Sequence, residues 1–381
     1  MEPLRVGFFT EIYRPVVNGV VASVEALADG LRGRGHKVYC FAPHMPGSTD
    51  PDGSVFRMPS LPLPTRTAYR LTLPLVSRAN LNGIIKRLTI VHVHSPFVTG
   101  WMGLRYARRY GMPIVYTYHT QLEAYAHYVP FEPNATRFAA SQLTRAFANQ
   151  ADAVVVPTPA MAARLRDLGV TVRIEVVPSG IEVERFAAGR RDEALRARLG
   201  VRTDERMVLY VGRLAKEKNV ELLLHALAQS NGESPKLKLV IAGDGPHRSE
   251  LERVARESGA SAATRFLGSI DREALPDLYA SADAFAMPST TETQGLVLAE
   301  ALAAGAYVIA ADAPQNLDVL GDAGVIVPPA PEAFAAALKA IPPRGRFTLQ
   351  ARRKAESFSL DRQIDRIQAL YGSLRRPACI A

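Results

Sequence analysis

Two carboxylates, Glu292 and Glu300, stand eight positions apart in the segment Thr291-Glu292-Thr293-Gln294-Gly295-Leu296-Val297-Leu298-Ala299-Glu300. The apolar run Ala284–Met287 before it reads as a strand, Pro288-Ser289-Thr290 as a turn, and the run after Gly295 as a helix start. A helix opening there directs its first N–H groups and the positive end of its dipole at whatever lies above the strand, which makes an anion site of Thr293, Gln294, Gly295, Leu296 and Val297. Glu292 then stands at the mouth of that site. Glu300 lies more than a turn inside the helix, where a carboxylate can accept two hydroxyls of a ribose. An anion cradle flanked by two hydroxyl-binding carboxylates suits a nucleotide-sugar. By spacing alone, the same residues also describe a surface helix with two solvated glutamates.

A second cluster supplies the opposite charge. The strand Met207–Val211 runs into Gly212-Arg213-Leu214-Ala215-Lys216-Glu217-Lys218-Asn219. Arg213 can fork onto phosphate oxygens and Lys218 adds a point charge. With the helix start near Gly295 they would neutralise a diphosphate without a metal; Lys216 reads as solvated. Near the N-terminus, the loop Thr10–Gly19 follows the first strand and opens the first helix, and Gly19 would let the backbone approach a ligand. His119 follows the strand Ile114–Tyr118, at the carboxyl end where an α/β sheet places its ligands. His92 and His94 share one strand face, but no carboxylate or cysteine accompanies them at metal-ligand spacing, so they read as structural or as lining an acceptor cleft. Asp50-Pro51-Asp52 lies in a loop rich in Gly, Ser and Pro with no strand to present it, and is rejected as a metal site. No metal site is assigned.

The elements that must carry these residues alternate β and α throughout. Strands are expected at Leu4–Thr10, Lys37–Ala42, Ile90–His94, Ile114–Tyr118, Ala153–Val156 and Ile174–Val177, with helices such as Val20–Leu31 and Thr99–Tyr110 between them. After a looser charged region, Glu182 to Glu205, the pattern restarts with Met207–Gly212, Lys238–Gly243, Thr264–Leu267, Ala284–Met287, Tyr307–Ala311 and Gly324–Val327. Short β-branched runs between amphipathic helices predict parallel sheets covered on both faces. At 381 residues the chain suits two such domains in series, 1–180 and 181–360, better than one very large sheet. The final stretch, Leu360–Arg375, reads as an amphipathic helix. Pro59 to Arg87 breaks the rhythm: it mixes Leu61, Leu63, Tyr69, Leu71, Leu73, Leu75 and Val76 with Arg66, Arg70, Arg78, Lys86 and Arg87. That mixture suits either a membrane interface or a Pro-rich loop leading into a core-facing helix.

Composition narrows the setting. Residues 1–180 carry 19 Lys and Arg against 11 Asp and Glu, so nearly all of the net +9 belongs to the first half. A basic face attracts anionic headgroups, nucleic acid or phosphorylated substrates. The chain has no interleaved aromatic stacking motif and a single tryptophan, Trp101, which argues against nucleic acid. Two cysteines, Cys40 and Cys379, sit at opposite ends and outside any cluster, pointing to a reducing cytoplasm. The N-terminus does not read as a signal peptide, and no apolar run approaches the ~20 residues needed to span a bilayer.

The Glu292-x7-Glu300 segment, the Gly212-Arg213-x4-Lys218 loop, Gly19 and His119 together resemble the retaining glycosyltransferases of family 4 (group 1), and bacterial diacylglycerol and glycolipid glucosyltransferases in particular. The resemblance runs from about Val6 to the final helix. It implies the GT-B fold: α/β, two doubly wound Rossmann-like domains facing each other across a cleft, with a tail helix (about 361–381) packing back on the first. It also implies roles. His119 would bond a hydroxyl of the donor sugar, and Glu292 would position sugar hydroxyls. Gly243, in Gly243-Asp244-Gly245-Pro246, would shape the pocket floor, and Ile270 would pack on the nucleobase. Asn18-Gly19 stands where many relatives have Gly-Gly, and Pro178-Ser179-Gly180-Ile181-Glu182 where many have Pro-Asn-Gly-Val-Asp. The implied reaction moves a hexose from a nucleoside-diphosphate sugar, UDP favoured, with no further cofactor, by same-face attack in which the leaving phosphate accepts the acceptor's proton. The Asn18-Gly19-Val20 loop and the basic first half lean toward a lipid acceptor on the inner face of the cell membrane. A soluble sugar or sugar-phosphate acceptor, or a nucleotide-sugar epimerase, is the alternative.

Overall fold

A computed structural model describes residues 2–48, 50, 53–62, 70–74, 79–128, 131–230, 236–343, 345 and 348–374, with residues 79–81 and 127 as backbone only. They form two units: residues 1–180 together with 360–381, and residues 181–359.

In the first unit the strands are β1 (Arg5–Phe9), β2 (Lys37–Pro43), β3 (Val55–Met58), β4 (Ser60–Pro62), β5 (Arg70–Thr72), β6 (Ile90–Val93), β7 (Ile114–Thr117), β8 (Ala153–Val156) and β9 (Arg173–Val176). Seven of them make one parallel sheet in the order β3-β2-β1-β6-β7-β8-β9, while β4 and β5 form a separate antiparallel pair. Every residue of β6, β7 and β8 is buried, as expected of strands covered on both faces. The helix Gly19–Gly33 shows how the covering works. Asn18 accepts from the Val21 N–H as its cap, and Val21, Val24, Leu27, Ala28 and Leu31 form the stripe buried against the sheet.

The second unit repeats the plan with β10 (Glu205–Val211), β11 (Lys236–Ala242), β12 (Thr264–Gly268), β13 (Ala284–Met287), β14 (Tyr307–Ala311) and β15 (Val325–Val327), all parallel, in the order β12-β11-β10-β13-β14-β15. Each sheet has a hydrophobic layer on either face.

The strands anticipated from the apolar runs are present to within one or two residues. Four features differ. The charged stretch after Glu182 holds two short helices, Val183–Ala187 and Glu193–Arg198. The edge strand β3, the β4–β5 hairpin and the 3-10 turn Leu122–Tyr128 had no signal in the periodicity. Within Pro59–Arg87, Leu61 and Leu71 face each other across the hairpin, both exposed, and a helix spans Ala79–Ile85. Residues 63–69 and 75–78 of that segment lie outside the described residues, as do Pro51, Asp52 and Cys379. Asp50 is held by Arg57 of β3 at 2.8 Å in a mostly buried ion pair.

The last helix, Leu360–Leu374, belongs to the first unit. Its Ile364, Ile367, Leu370 and Tyr371 are buried in the same core as Val21, Val24 and Leu27. The approach is so close at Gly30 that a β-carbon there would lie 2.2 Å from Ile364 Cδ1. Gly180 N–H donates to Gln363 Oε1 at 2.9 Å, tying the end of the first pass of the chain to the returning helix. Ile367 is fully buried, so Ile367→Ala is expected to lower stability by about 2–5 kcal/mol in urea unfolding followed by far-UV circular dichroism. A loss under about 1 kcal/mol would mean that the helix is an accessory to this core.

Candidate active site

In the second unit the chain leaves β10 and β13 as direct neighbours, yet β11 lies on one side of β10 and β14 on the far side of β13. The strand order reverses at that pair, and an open parallel sheet leaves a crevice there, beyond the carboxyl ends of its strands. The loops that follow these two strands are Gly212–Asn219 and Pro288–Gly295, and they bring together Lys218 and Glu292, both singled out by spacing. Lys218 Nζ donates to Glu292 Oε1 at 2.6 Å, both side chains being mostly buried. Arg213 Nη2 donates to Glu217 Oε1 at 2.6 Å, with Glu217 buried and Arg213 about one-third exposed. Glu217 is a site residue that sequence reasoning missed. Its position four residues after Arg213, in a 3-10 turn, was the available signal.

Backbone geometry shapes this corner. Asn219, between the turn Lys216–Lys218 and the helix Val220–Gln229, adopts φ 55°, the one positive φ outside glycine among the described residues. Such a conformation persists only where its surroundings fix it. Gly243 has φ 144°, and a β-carbon on it would fall 1.9 Å from the Gly212 carbonyl oxygen. Gly243 N–H donates to Gly268 O at 2.8 Å, and Leu214 N–H to Asp244 O at 2.9 Å, so three strand-end loops are laced edge to edge. Ile270, just past this lacing, is half-buried against the unit's core.

The helix Leu296–Ala303 begins as anticipated, with Gly295 at φ 76° as its cap. Thr293, Gly295, Leu296 and Val297 keep partial exposure, while Gln294 is buried. The loop ahead of it is fixed from behind: Asn316 Nδ2 donates to Ser289 O at 3.0 Å, Gln315 Nε2 to Thr290 O at 2.7 Å, and Thr291 Oγ1 to Glu217 O at 3.2 Å. Glu300 is buried and accepts from the Tyr279 hydroxyl at 2.8 Å on Oε2. Burial raises its carboxyl above the ordinary range, with the Tyr279 hydrogen bond acting in the other direction. Tyr279 was also missed, since it lies on another helix, Leu275–Ser281, far away in sequence.

Gly19 and His119 lie in the first unit. Gly19 is exposed as the first residue of its helix. The strand order reverses here too, between β1 and β6, and the loops after β1, β6 and β7 carry Glu11, His94 and His119. Glu11 is buried and accepts the Thr99 N–H at 3.0 Å, bracing the start of the helix Val98–Arg109. His92 is locked between Tyr371 and Thr117 hydroxyls, at 2.6 Å on each ring nitrogen, and so is structural. His94 Nδ1 lies 3.0 Å from His119 Nε2, so one of the two carries the proton between them. His94 Nε2 is buried with no hydrogen-bond partner among the described residues. An orphaned N–H costs more than an orphaned lone pair, so the His94 proton belongs on Nδ1, donated to His119, whose own proton then sits on Nδ1.

The three histidines are held neutral by burial. His92 is lowered to about 3 and His119 to about 4, and His94 falls well below its ordinary 6.5. A folded-state pKa below the unfolded value means that the unfolded chain binds the extra protons. Their contribution is therefore complete above pH 6.5 and lost as pH falls below it. Glu300, shifted up, takes up its proton in the folded state and offsets part of this. Urea unfolding is expected to show stability falling between pH 6.5 and 5, with each histidine adding up to about 1.4 kcal/mol per pH unit. A slope flatter than one proton would show that the histidines titrate near their ordinary value.

Two parallel, doubly wound units, the second carrying an Arg–Lys–Glu cluster at its strand reversal, define a GT-B glycosyltransferase. Residues 17–185 match the family model described as Glycosyltransferase Family 4, and residues 191–346 the one described as Glycosyl transferases group 1. The chain is 33% identical over 318 residues to the alpha-monoglucosyldiacylglycerol synthase of Acholeplasma laidlawii, covering 80% of each protein. It is 33% identical over 365 residues to a GDP-mannose-dependent alpha-mannosyltransferase of Mycolicibacterium smegmatis, covering 92% of each. In fold it is similar to HepE of Anabaena, solved in complex with UDP-glucose, with a TM-score of 0.77 and 19% identity over 97% of this chain and 100% of that one. The chain belongs to the family 4, group 1 glycosyltransferases.

Proposed function

We propose that this glycosyltransferase moves a hexose from a nucleoside-diphosphate sugar, UDP-hexose in preference to GDP-hexose, onto a membrane lipid such as diacylglycerol or a glycolipid, with retention and without a metal. The observation that carries the donor side is the convergence of Arg213, Lys218 and Glu292 in front of the helix that starts at Leu296. The difficult feature of such a transfer is the charge that grows on the departing diphosphate. Preorganised donors aimed at that charge lower the barrier most, because they need no rearrangement as the bond breaks. Arg213, Lys218 and the N–H groups from Thr293 to Val297 are those donors, and the two cations supply the positive charge that a metal supplies elsewhere.

Glu217 and Glu292 hold the cations in register, and Glu292 is assigned the sugar hydroxyls. Glu300, ionised with help from Tyr279, takes the ribose, and Ile270 packs on the base above the floor made by Gly243. His119, fixed as a neutral Nδ1–H imidazole, bonds a sugar hydroxyl. Attack comes from the face the diphosphate leaves, and its phosphate oxygen takes the acceptor's proton.

Similarity to a monoglucosyldiacylglycerol synthase and the positive charge of the first unit support the lipid acceptor. Similarity to a mannosyltransferase keeps GDP-mannose among the donors to be assayed. No helix among the described residues is long and apolar enough to cross a membrane. The proposed lipid contact is a peripheral one, on the inner face of the cell membrane.

A panel of UDP- and GDP-sugars, each with and without anionic vesicles containing diacylglycerol, tests the proposal. The expected outcome is vesicle-dependent release of nucleoside diphosphate, reduced in Glu292→Ala by roughly 100- to 1,000-fold. Turnover with soluble acceptors alone would reassign the acceptor, and conversion of donor with no acceptor present would indicate an epimerase. Absence of turnover together with absence of a donor-induced shift in melting temperature would overturn the enzyme reading.

A further inference from the structure

Large apolar side chains left in water need a reason, and the first unit has a group of them close in sequence to His119. The chain runs from His119 through the 3-10 turn Leu122–Tyr128 to Phe131, which is 73% exposed, and into the helix Pro133–Ala148, where Phe138 is 67% exposed. That helix buries Thr144, Phe147 and Ala148. Phe138 stands nine residues before Phe147, about half a turn round the helix at 3.6 residues per turn, so it points away from the body of the unit. Trp101 is 41% exposed and meets Phe147 edge to face, the ring centroids 5.2 Å apart. It begins an exposed stripe on the helix Val98–Arg109 that continues through Arg105, Arg108 and Arg109. Arg108 also bonds the Gln150 side chain, just past the end of the neighbouring helix.

Charge decides the occupant. Exposed Arg137 and Arg145 add to the three arginines of the stripe. Of the carboxylates close by in sequence, buried Glu123 is paired with Arg164, while exposed Glu132 accepts the Asn134 and Ala135 N–H groups and keeps its charge, one anion against five arginines. A second copy of this surface would set arginine against arginine, and like charges brought together cost affinity. An anionic bilayer offers both requirements at once, phosphate headgroups for the guanidiniums and an interfacial layer where aromatic rings are favoured.

We infer that the two helices Val98–Arg109 and Pro133–Ala148 dock the first unit on an anionic lipid surface, with Phe131 and Phe138 entering the headgroup boundary. This rests on the lipid-acceptor reading and supplies the surface that reading needs. It differs from docking through Pro59–Arg87, whose described hairpin exposes Leu61 and Leu71.

Trp101, the single tryptophan of the chain, is an intrinsic probe for the test. Full-length protein is mixed with phosphatidylglycerol–phosphatidylcholine vesicles or with phosphatidylcholine vesicles alone, and both co-sedimentation and tryptophan emission are followed. Binding and a blue shift are expected with the anionic vesicles only, weakening as salt is added. Phe131→Ser/Phe138→Ser should bind at least about tenfold more weakly, with melting temperature and donor turnover in detergent unchanged. Leu61→Ser/Leu71→Ser should bind like the parent. The inference is overturned if the phenylalanine variant binds vesicles like the parent, if the hairpin variant alone loses binding, or if the parent ignores vesicles and light scattering shows a dimer that the phenylalanine variant disperses. Glycosylation of micellar lipid alongside any of these results would leave the lipid-acceptor reading standing and remove only this surface. Turnover restricted to soluble acceptors would remove the reading itself.

Discussion

A parallel strand can send its chain onward only to one face of the sheet or the other. Where two neighbouring strands choose opposite faces, their loops part and the sheet is open between them. The rest of the site in the second unit depends on that reversal between β10 and β13. It brings Lys218 within 2.6 Å of a carboxylate 74 positions away in sequence, and it leaves the start of the helix Leu296–Ala303 looking into the same corner. Nothing in the local chemistry of either loop would achieve this. The glycines at 212, 243 and 268 then let the strand ends lie against one another where a β-carbon at 243 would collide with backbone.

Electrostatics divides the candidate residues into two kinds. The cations of the second unit are partly exposed and each is matched to a carboxylate, an arrangement in which water and incoming anions can exchange with the partners. The histidines of the first unit are the opposite case, kept neutral by desolvation, with His92 and His94 buried and His119 partly exposed, and joined side by side through β6 and β7. A neutral imidazole with a fixed tautomer is a directional hydrogen-bonding group, and its direction is set by a neighbour, His94, that the sequence marked as structural or as lining an acceptor cleft.

Much of this was legible in the chain because parallel strands buried on both faces leave an unambiguous trace. Runs such as Ala153–Val156 have no polar residue to confuse the period. The edge strand β3 and the β4–β5 hairpin were invisible for the converse reason: three or four residues with mixed exposure carry no period at all. At the site, a strand-turn-helix unit limits where its loop residues go, so spacing nominated Arg213, Lys218, Glu292 and Glu300, and the family resemblance was needed to prefer them to a solvated surface helix. Glu217, Tyr279 and Asn316 could not, since their significance lies in tertiary contacts that no spacing encodes. The family resemblance shares that limit, naming the residues a ligand would touch and not those that brace them.

The return of the helix Leu360–Leu374 has a consequence for how the protein is made. The second unit leaves and re-enters the first through adjacent points, Ile181 and Ser359, which pair as a β-bridge. Every strand of the first sheet has therefore emerged from the ribosome long before Ile364, Ile367 and Tyr371, which complete its core. At about 5–20 residues per second, residues 181–359 take roughly 10–35 s to synthesise. Throughout that interval the groove along the helix Gly19–Gly33, with glycine at position 30 and Val24, Leu27 and Leu31 beside it, stands uncovered. The half of the chain synthesised first is the half that finishes folding last, and a nascent chain in that state is one that a chaperone would hold.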